Sequence, residues 1–308
     1  MTTNHSMPNI VVLVPCYNEG KTIHTVIEQF KYYLPEATIY IFDNNSSDNT
    51  VEQAKQAGAF IRCVTLQGKG NVIRRMFADI DADIYVMVDG DATYEAKVAP
   101  KLVAMLKDNY LDMVVGARKT EEELAYRFGH RSGNKLLTYL IELFFGHKCI
   151  DLLSGYRVFS KRFVKSFPAH SAGFEIETEL TLHAYQLKMP VAEVITQYCA
   201  RPEGSFSKLN TYRDGSKIFF TIFKLFKNER PFFFFFICFC LCTLCAIILA
   251  IPIFKTFIAT GLVPRFPTAI VCASLIVLGV ILLVCGIILH DITKMRLEIK
   301  QNAYLNIR

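Results

Sequence analysis

The sequence predicts an α/β domain on a mostly parallel sheet, followed by two transmembrane helices. Three observations carry this. Short apolar runs alternate with helix-like stretches between Ile10 and Val115. The run Ile84-Tyr85-Val86-Met87-Val88 ends abruptly in Asp89-Gly90-Asp91, as expected of a strand covered on both faces whose end meets a ligand crevice. Lastly, Phe232–Phe254 and Thr268–Leu289 contain no charged residue.

Ile10–Val14, Thr38–Phe42, Ala59–Thr65, Ile84–Val88 and Met113–Val115 read as strands. Gly20–Tyr33, Asp48–Ala57 and Gly70–Ile80 have polar starts and helical spacing, with Ser47 or Asp48 placed to cap the second helix. Strand–helix alternation implies right-handed crossovers and a mostly parallel sheet. A dinucleotide-binding fold is excluded by its fingerprint: the first strand runs into Pro15-Cys16-Tyr17-Asn18-Glu19, not a glycine-rich turn. No Walker A sequence is present.

Each uncharged run is long enough to cross a hydrocarbon layer of ~30 Å as a helix. Gly261, Pro264 and Pro267 make a turn between them. Lys217, Lys224, Lys227 and Arg230 precede the first span, and Lys294, Arg296, Lys300 and Arg308 follow the second; the intervening loop holds only Lys255 and Arg265. This asymmetry places the large domain and the C-terminal end in the cytosol. No signal peptide is expected, because Met1–Asn9 is polar and Ile10–Val14 is too short. The expected organisation is a cytosolic domain over 1–212, a basic amphipathic helix in the membrane interface over 213–230, a two-helix membrane hairpin over 231–290, and a cytosolic tail over 291–308. Leu136–Phe145 could rest on the membrane or in the core. The net charge of +6 suits anionic lipid and is too small to argue for nucleic acid. Six of the ten cysteines lie in the spans, and neither a disulfide framework nor a zinc site is legible.

Residues able to carry chemistry collect at the strand ends. Asp89 and Asp91 can share a hard divalent cation, which in turn can hold a diphosphate. Asp43 stands directly at the end of the second strand. Gly68-Lys69-Gly70 puts a lysine at a helix start, where backbone N–H groups and the ammonium can meet the anionic part of a nucleotide. Further on come Gly116-Ala117-Arg118 after a strand, Arg131, Asp151-Leu152-Leu153-Ser154-Gly155-Tyr156-Arg157, Gly173-Phe174-Glu175-Ile176-Glu177-Thr178-Glu179, and a loop from Arg201 to Lys208.

The ordered set Pro-x-Tyr-Asn-Glu, strand-end Asp, Asp-x-Asp, Gly-x-Arg, Asp-x-x-Ser-Gly-Tyr-Arg and Arg-x-x-Gly-x-x-Ser-Lys, followed by two spans, resembles the inverting family 2 glycosyltransferases over nearly the whole chain. More narrowly it resembles the polyprenyl-phosphate glycosyltransferases, such as dolichol-phosphate mannose synthases and bactoprenol glucosyltransferases. The resemblance implies a GT-A fold, which is Rossmann-like, a nucleotide-sugar donor, a divalent metal (Mg or Mn) and a polyprenyl phosphate acceptor. It implies that Pro15, Tyr17, Glu19 and Asp43 hold base and ribose; Lys69 is a further nucleotide-binding candidate from its place at the helix start. Asp89 and Asp91 would hold the metal, Arg118 and Arg131 the acceptor phosphate, and Arg201 with Lys208 would close over the phosphates. Asp151 would lie by the sugar or acceptor. A homo-oligomer, a tetramer among the options, and a bacterial inner-membrane location serving envelope glycan or lipid A modification are the matching expectations. Asn44 departs from the family, which often has a second aspartate there, and Ala92-Thr93 departs from the mannose synthases.

The chemistry this implies is coherent. A phosphate monoester has a second pKa of about 6, so the acceptor is largely dianionic at neutral pH and needs little help from a base. Leaving-group charge and anion–anion repulsion are the obstacles, which a metal on Asp89 and Asp91 and bidentate arginines address. Single displacement then inverts the anomeric carbon. A UDP-hexose or UDP-N-acetylhexosamine is the expected donor, with GDP-mannose as the alternative. A processive polysaccharide synthase is disfavoured, since those carry Gln-x-x-Arg-Trp and this chain has no tryptophan. A membrane-anchored nucleotide-binding module without turnover would be marked by loss of a carboxylate of the pair, and both are present.

Overall fold

The computed structural model describes residues 8–119, 142, 150–173, 175–199, 224 and 226–307. These form two units, one comprising Met1–Ile218 with Lys300–Arg308 and the other Phe219–Ile299.

The first unit is built on a seven-stranded sheet. Its strands are β1 (Ile10–Cys16), β2 (Thr38–Asp43), β3 (Phe60–Cys63), β4 (Ile84–Met87), β5 (Met113–Lys119), β6 (Arg157–Ser160) and β7 (Val191–Gln197), in the order β3-β2-β1-β4-β6-β5-β7. Pairings β1–β2, β2–β3, β1–β4 and β5–β7 are parallel, while β6 is antiparallel to both β4 and β5. Helices α1 (Ile23–Tyr33), α2 (Thr50–Gln56) and α3 (Lys69–Asp79) are the crossovers expected from the sequence, and α4 (Ala99–Asp108) leads into β5. The residues of β1 and β4 are buried on both faces, apart from half-buried Pro15. On one face Val12 and Val14 join Ile23, Ile27 and Phe30 of α1 and Leu102 of α4 in the main core. On the other, Phe77 of α3 packs edge-on against Tyr85 and Phe159. The chain runs outward from β1 to β3 and then restarts at β4 on the opposite side of β1. Such a reversal opens a ligand crevice at the C-terminal strand ends.

Short helices α5 (Lys161–Ser166) and α6 (Ile176–Gln186) follow β6. His183 of α6 is 1% exposed. Its Nε2 faces Ser166 Oγ at 3.0 Å, and its ring meets Phe163 and Phe167 edge-on. Burial, aided by the charge of Lys300, lowers its pKa to about 3. The unfolded chain therefore takes up a proton below pH 6.5 that the folded one refuses until about pH 3. Stability is lost as pH falls through that window, by about 2 kcal/mol at pH 5. In denaturant titrations at pH 7 and pH 5, the wild type should lose about that much more stability than His183→Gln. Equal losses would contradict this assignment.

The second unit contains α7 (Pro231–Thr260) and most of α8 (Phe266–Asn306), both long and apolar enough to cross a membrane. Their apolar side chains are largely at the surface, unlike the core helices of a soluble protein. Gly279 faces Phe239 and Gly286 faces Phe235, small residues admitting large ones at a helix–helix seam. The carbonyl of Pro252, inside α7, accepts from Thr256 Oγ1 at 2.9 Å, and α7 ends on Gly261 at φ +68°. Beyond its apolar stretch α8 continues as helix through the expected tail to Asn306. The expected interfacial helix lies mostly outside the described residues; Leu136–Phe145, apart from residue 142, does too.

Candidate active site

The ends of β1, β2 and β4 place three of the expected groups along one sheet edge. The loop after β1 turns at Asn18, whose φ is +55°. It is tied to the loop after β2 by Asn18 N–H to Ser46 Oγ at 2.9 Å, Glu19 N–H to Thr50 Oγ1 at 2.9 Å, and Ser47 N–H to Asn18 Oδ1 at 2.8 Å. Pro15, Tyr17 and Glu19 are all half-buried on this segment. Thr22 Oγ1 donates to the Gly90 carbonyl at 2.7 Å, which links the same loop to the Asp-x-Asp turn. Asp43 is 5% exposed. Its Oδ2 accepts from Ser46 N–H at 3.2 Å, while its buried Oδ1 has no hydrogen-bond donor. An orphaned buried carboxylate oxygen is costly unless a ligand supplies the donor.

Two local expectations need correction. The N-cap position of α2 falls on Asn49, whose side chain makes no capping bond. Asp48, one residue earlier, accepts from Thr50 N–H with Oδ1 and from Gly20 N–H with Oδ2, both at 3.0 Å, and so ties the helix start to the β1 loop. At the start of α3, the backbone N–H groups of Gly68 and Gly70 are already used, by Asn44 Oδ1 at 2.7 Å and the Ala172 carbonyl at 3.0 Å. The two glycine N–H groups are thus spent on the protein itself, and the Lys69 side chain turns to the strand-end acids. Asn44 also donates from Nδ2 to the carbonyls of Val64 and Leu66 at 2.8 and 2.9 Å, bonds an aspartate could not make. Asparagine at this departure from the family therefore braces the loop that carries Lys69.

Asp91 is 4% exposed. Ala92 at φ +58° turns the chain so that Thr93 donates to Asp91 Oδ1 from both N–H, at 3.2 Å, and Oγ1, at 2.5 Å. Asp89 is more open and accepts from Lys69 Nζ at 2.6 Å. The same ammonium reaches Glu177 Oε1 at 2.6 Å. Burial lowers the lysine pKa, but the charges of Asp89 and Glu177 outweigh it and hold the pKa above its ordinary value. Burial and the Asp89 charge raise that of Glu177 against the pull of Lys69. Sequence reasoning did not single out Glu177. The stretch Gly173–Glu179 is marked in the sequence as able to carry chemistry, but no spacing within it separates Glu177 from Glu175 or Glu179.

Arg118 lies within β5, not after a strand, and is paired in register with Thr196. Its Nε and Nη2 grip Asp151 Oδ2 and Oδ1 at 2.6 and 2.8 Å, and its guanidinium stands 5.5 Å from the Tyr198 ring centre. Burial raises the Asp151 pKa, yet the hydrogen bond and charge of Arg118 outweigh this and hold it below the usual carboxylate value. The pair is a bidentate ionic lock. Tyr94 OH accepts from Gly155 N–H at 2.9 Å and packs on Tyr198. Arg131, Arg201 and Lys208 lie outside the described residues.

A Cβ on Gly155 would collide with the Asp89 carboxylate. Gly155→Ala should therefore displace Asp89 without disturbing the core. Turnover is expected to fall on the order of 10- to 100-fold, as for a misplacement near 1 Å, with little change in melting temperature. Unchanged turnover would contradict the placement of Asp89 in the site.

Two hard oxygen donors at a strand edge suit a cation that completes its shell from a diphosphate and water. Among the described residues no group of three or more His, Cys, Asp or Glu side chains forms an all-protein metal cage.

Comparison with known proteins gives the same picture. The model of the family described as "Glycosyl transferase family 2" matches residues 11–167. The chain is 34% identical to the glycosyltransferase AglJ of Haloferax volcanii over 228 residues, 73% of this chain and 75% of that one. It is 24% identical to a dolichyl-phosphate hexose transferase of the same organism, over 74% of this chain and 98% of that one. Among solved structures, glucosyl-3-phosphoglycerate synthase of Mycobacterium tuberculosis, in complex with Mn2+, UDP and phosphoglyceric acid, superposes with a TM-score of 0.58 at 22% identity, covering 70% of this chain and 78% of that one. The fold is therefore GT-A.

Proposed function

This chain belongs to glycosyl transferase family 2 and is a glycosyltransferase, and we propose that it moves a hexose or N-acetylhexosamine from a UDP-sugar to a polyprenyl phosphate, with inversion, at the cytoplasmic membrane face. The observation that carries the donor half is the orphaned Asp43 Oδ1 sharing one sheet edge with Asp89 and Asp91. Asp43 takes a ribose hydroxyl or base N–H, while Pro15, Tyr17 and Glu19 wall the nucleotide. Asp89 and Asp91 would hold a magnesium or manganese ion, which would supply positive charge against that growing on the leaving nucleoside diphosphate. The UDP and manganese bound by the structurally similar synthase support this choice.

The acceptor half rests on two supports. The relative named a dolichyl-phosphate hexose transferase aligns along three-quarters of this chain, and two membrane-length helices follow the domain. A phosphate dianion attacks without a general base, so its requirements are charge and alignment. Arg118 supplies charge beside Asp151, which orients its guanidinium, and Arg131, Arg201 and Lys208 complete the phosphate contacts. The basic residues flanking the helices place the domain on the cytosolic side. The test mixes purified protein with undecaprenyl phosphate, magnesium or manganese, and a panel of UDP- and GDP-sugars. One glycolipid made from a UDP-sugar is the expected result. A mannolipid formed from GDP-mannose alone would reverse the base assignment, and no glycolipid from any donor would overturn the acceptor.

A further inference from the structure

Asp89 is drawn on by two cations: the proposed metal ion, and the lysine that the structure already places on it. Lys69 Nζ is 2.6 Å from Asp89 Oδ1 and 2.6 Å from Glu177 Oε1. The three groups come from separate elements, the start of α3, the end of β4 and the first turn of α6, so the fold converges on this contact. The lysine and Glu177 side chains are only 10% and 8% exposed. A carboxylate buried that deeply persists because a cation is fixed beside it.

We propose that Lys69 is the counter-ion of Asp89 before a metal–diphosphate binds, and that Glu177 is the positioning residue that retains its ammonium when a metal–diphosphate takes Asp89 over. This rests on the reading that Asp89 and Asp91 hold a divalent cation. A metal ion arriving alone would have to displace an ammonium and then sit beside it. A diphosphate arriving with the metal brings the negative charge that receives the displaced ammonium. Glu177 keeps the lysine from swinging out to water during the exchange. Metal and nucleotide consequently enter together, and the metal binds weakly without nucleotide.

The double variant Lys69→Met/Glu177→Gln removes one charge of each sign, leaving the net charge of the site unchanged. Manganese binding to the full chain in detergent micelles, read from the free-ion electron paramagnetic resonance signal, separates competition from simple electrostatics. Without nucleotide, the variant should bind manganese at least fivefold more tightly than wild type; any smaller gain, or a loss, overturns the exchange. If wild type binds manganese with UDP, Asp91→Asn abolishes that binding, and the double variant matches wild type, the metal site stands and the exchange falls. If wild type binds no manganese even with UDP, both fall. Should the double variant fail to fold, the wild-type chain still decides: the nitrogen resonance of the buried Lys69 ammonium must shift when magnesium and UDP are added together. An unmoved resonance overturns the proposal.

Discussion

Asp91→Asn should abolish glycolipid formation while leaving the domain folded. The substitution is nearly isosteric, and an asparagine oxygen can still accept both bonds from Thr93, so the turn set by Ala92 at φ +58° survives. What disappears is the negative charge. The proposed cation would then lose one of its two proposed carboxylate ligands, and the charge growing on the departing nucleotide would be left poorly offset. Loss of several kcal/mol of such stabilisation corresponds to a rate lower by on the order of a thousandfold. The measurement is initial rate at saturating donor and lipid, accompanied by a thermal melt of the same preparation. Turnover within a few-fold of wild type would remove the metal from Asp91.

The parts of this molecule that the sequence announces are those where one local rule suffices. Strands β1, β2 and β4 are legible because burial on both faces makes them apolar throughout or nearly so, and their ends are marked by Asp43 and Asp89. The two membrane-length helices are legible from length and absence of charge alone. Strand β6 is not, since it has four residues and begins on an arginine, and antiparallel insertion between β4 and β5 leaves no periodic trace. Strand β7, half exposed along an edge of the sheet, is equally silent. The site divides in the same way. Acids at strand ends can be anticipated, whereas Glu177 sits among Glu175 and Glu179 in an acidic repeat. Only tertiary contact separates their roles: Glu177 holds Lys69, and Glu179 accepts the N–H groups of His170 and Ser171. The bidentate union of Arg118 with Asp151 likewise joins residues 33 positions apart.

Arg157 is where an apparently chemical motif proves architectural, and its removal should have the largest effect on stability. It closes Asp-x-x-Ser-Gly-Tyr-Arg, one of the stretches whose residues could carry chemistry. The structure buries it completely. Nε donates to the Ser154 carbonyl at 2.9 Å, Nη2 to the Leu152 carbonyl at 2.7 Å, and Nη1 to Thr181 Oγ1 at 2.8 Å. The guanidinium is thus the internal template around which the loop from Asp151 to Tyr156 folds, and its charge contributes to the lowered pKa of Asp151. Arg157→Met fills much of the volume but leaves two buried carbonyls and a hydroxyl without their donor. At roughly 1–3 kcal/mol for each unsatisfied group, a loss of about 3–5 kcal/mol follows, a large part of the stability of an ordinary domain. Arg157→Lys should be nearly as harmful, because one ammonium cannot span three acceptors held in a fork. Urea unfolding of both variants, followed by tyrosine fluorescence, measures the difference. A variant as stable as wild type yet devoid of activity would return Arg157 to the substrate and take it out of the scaffold.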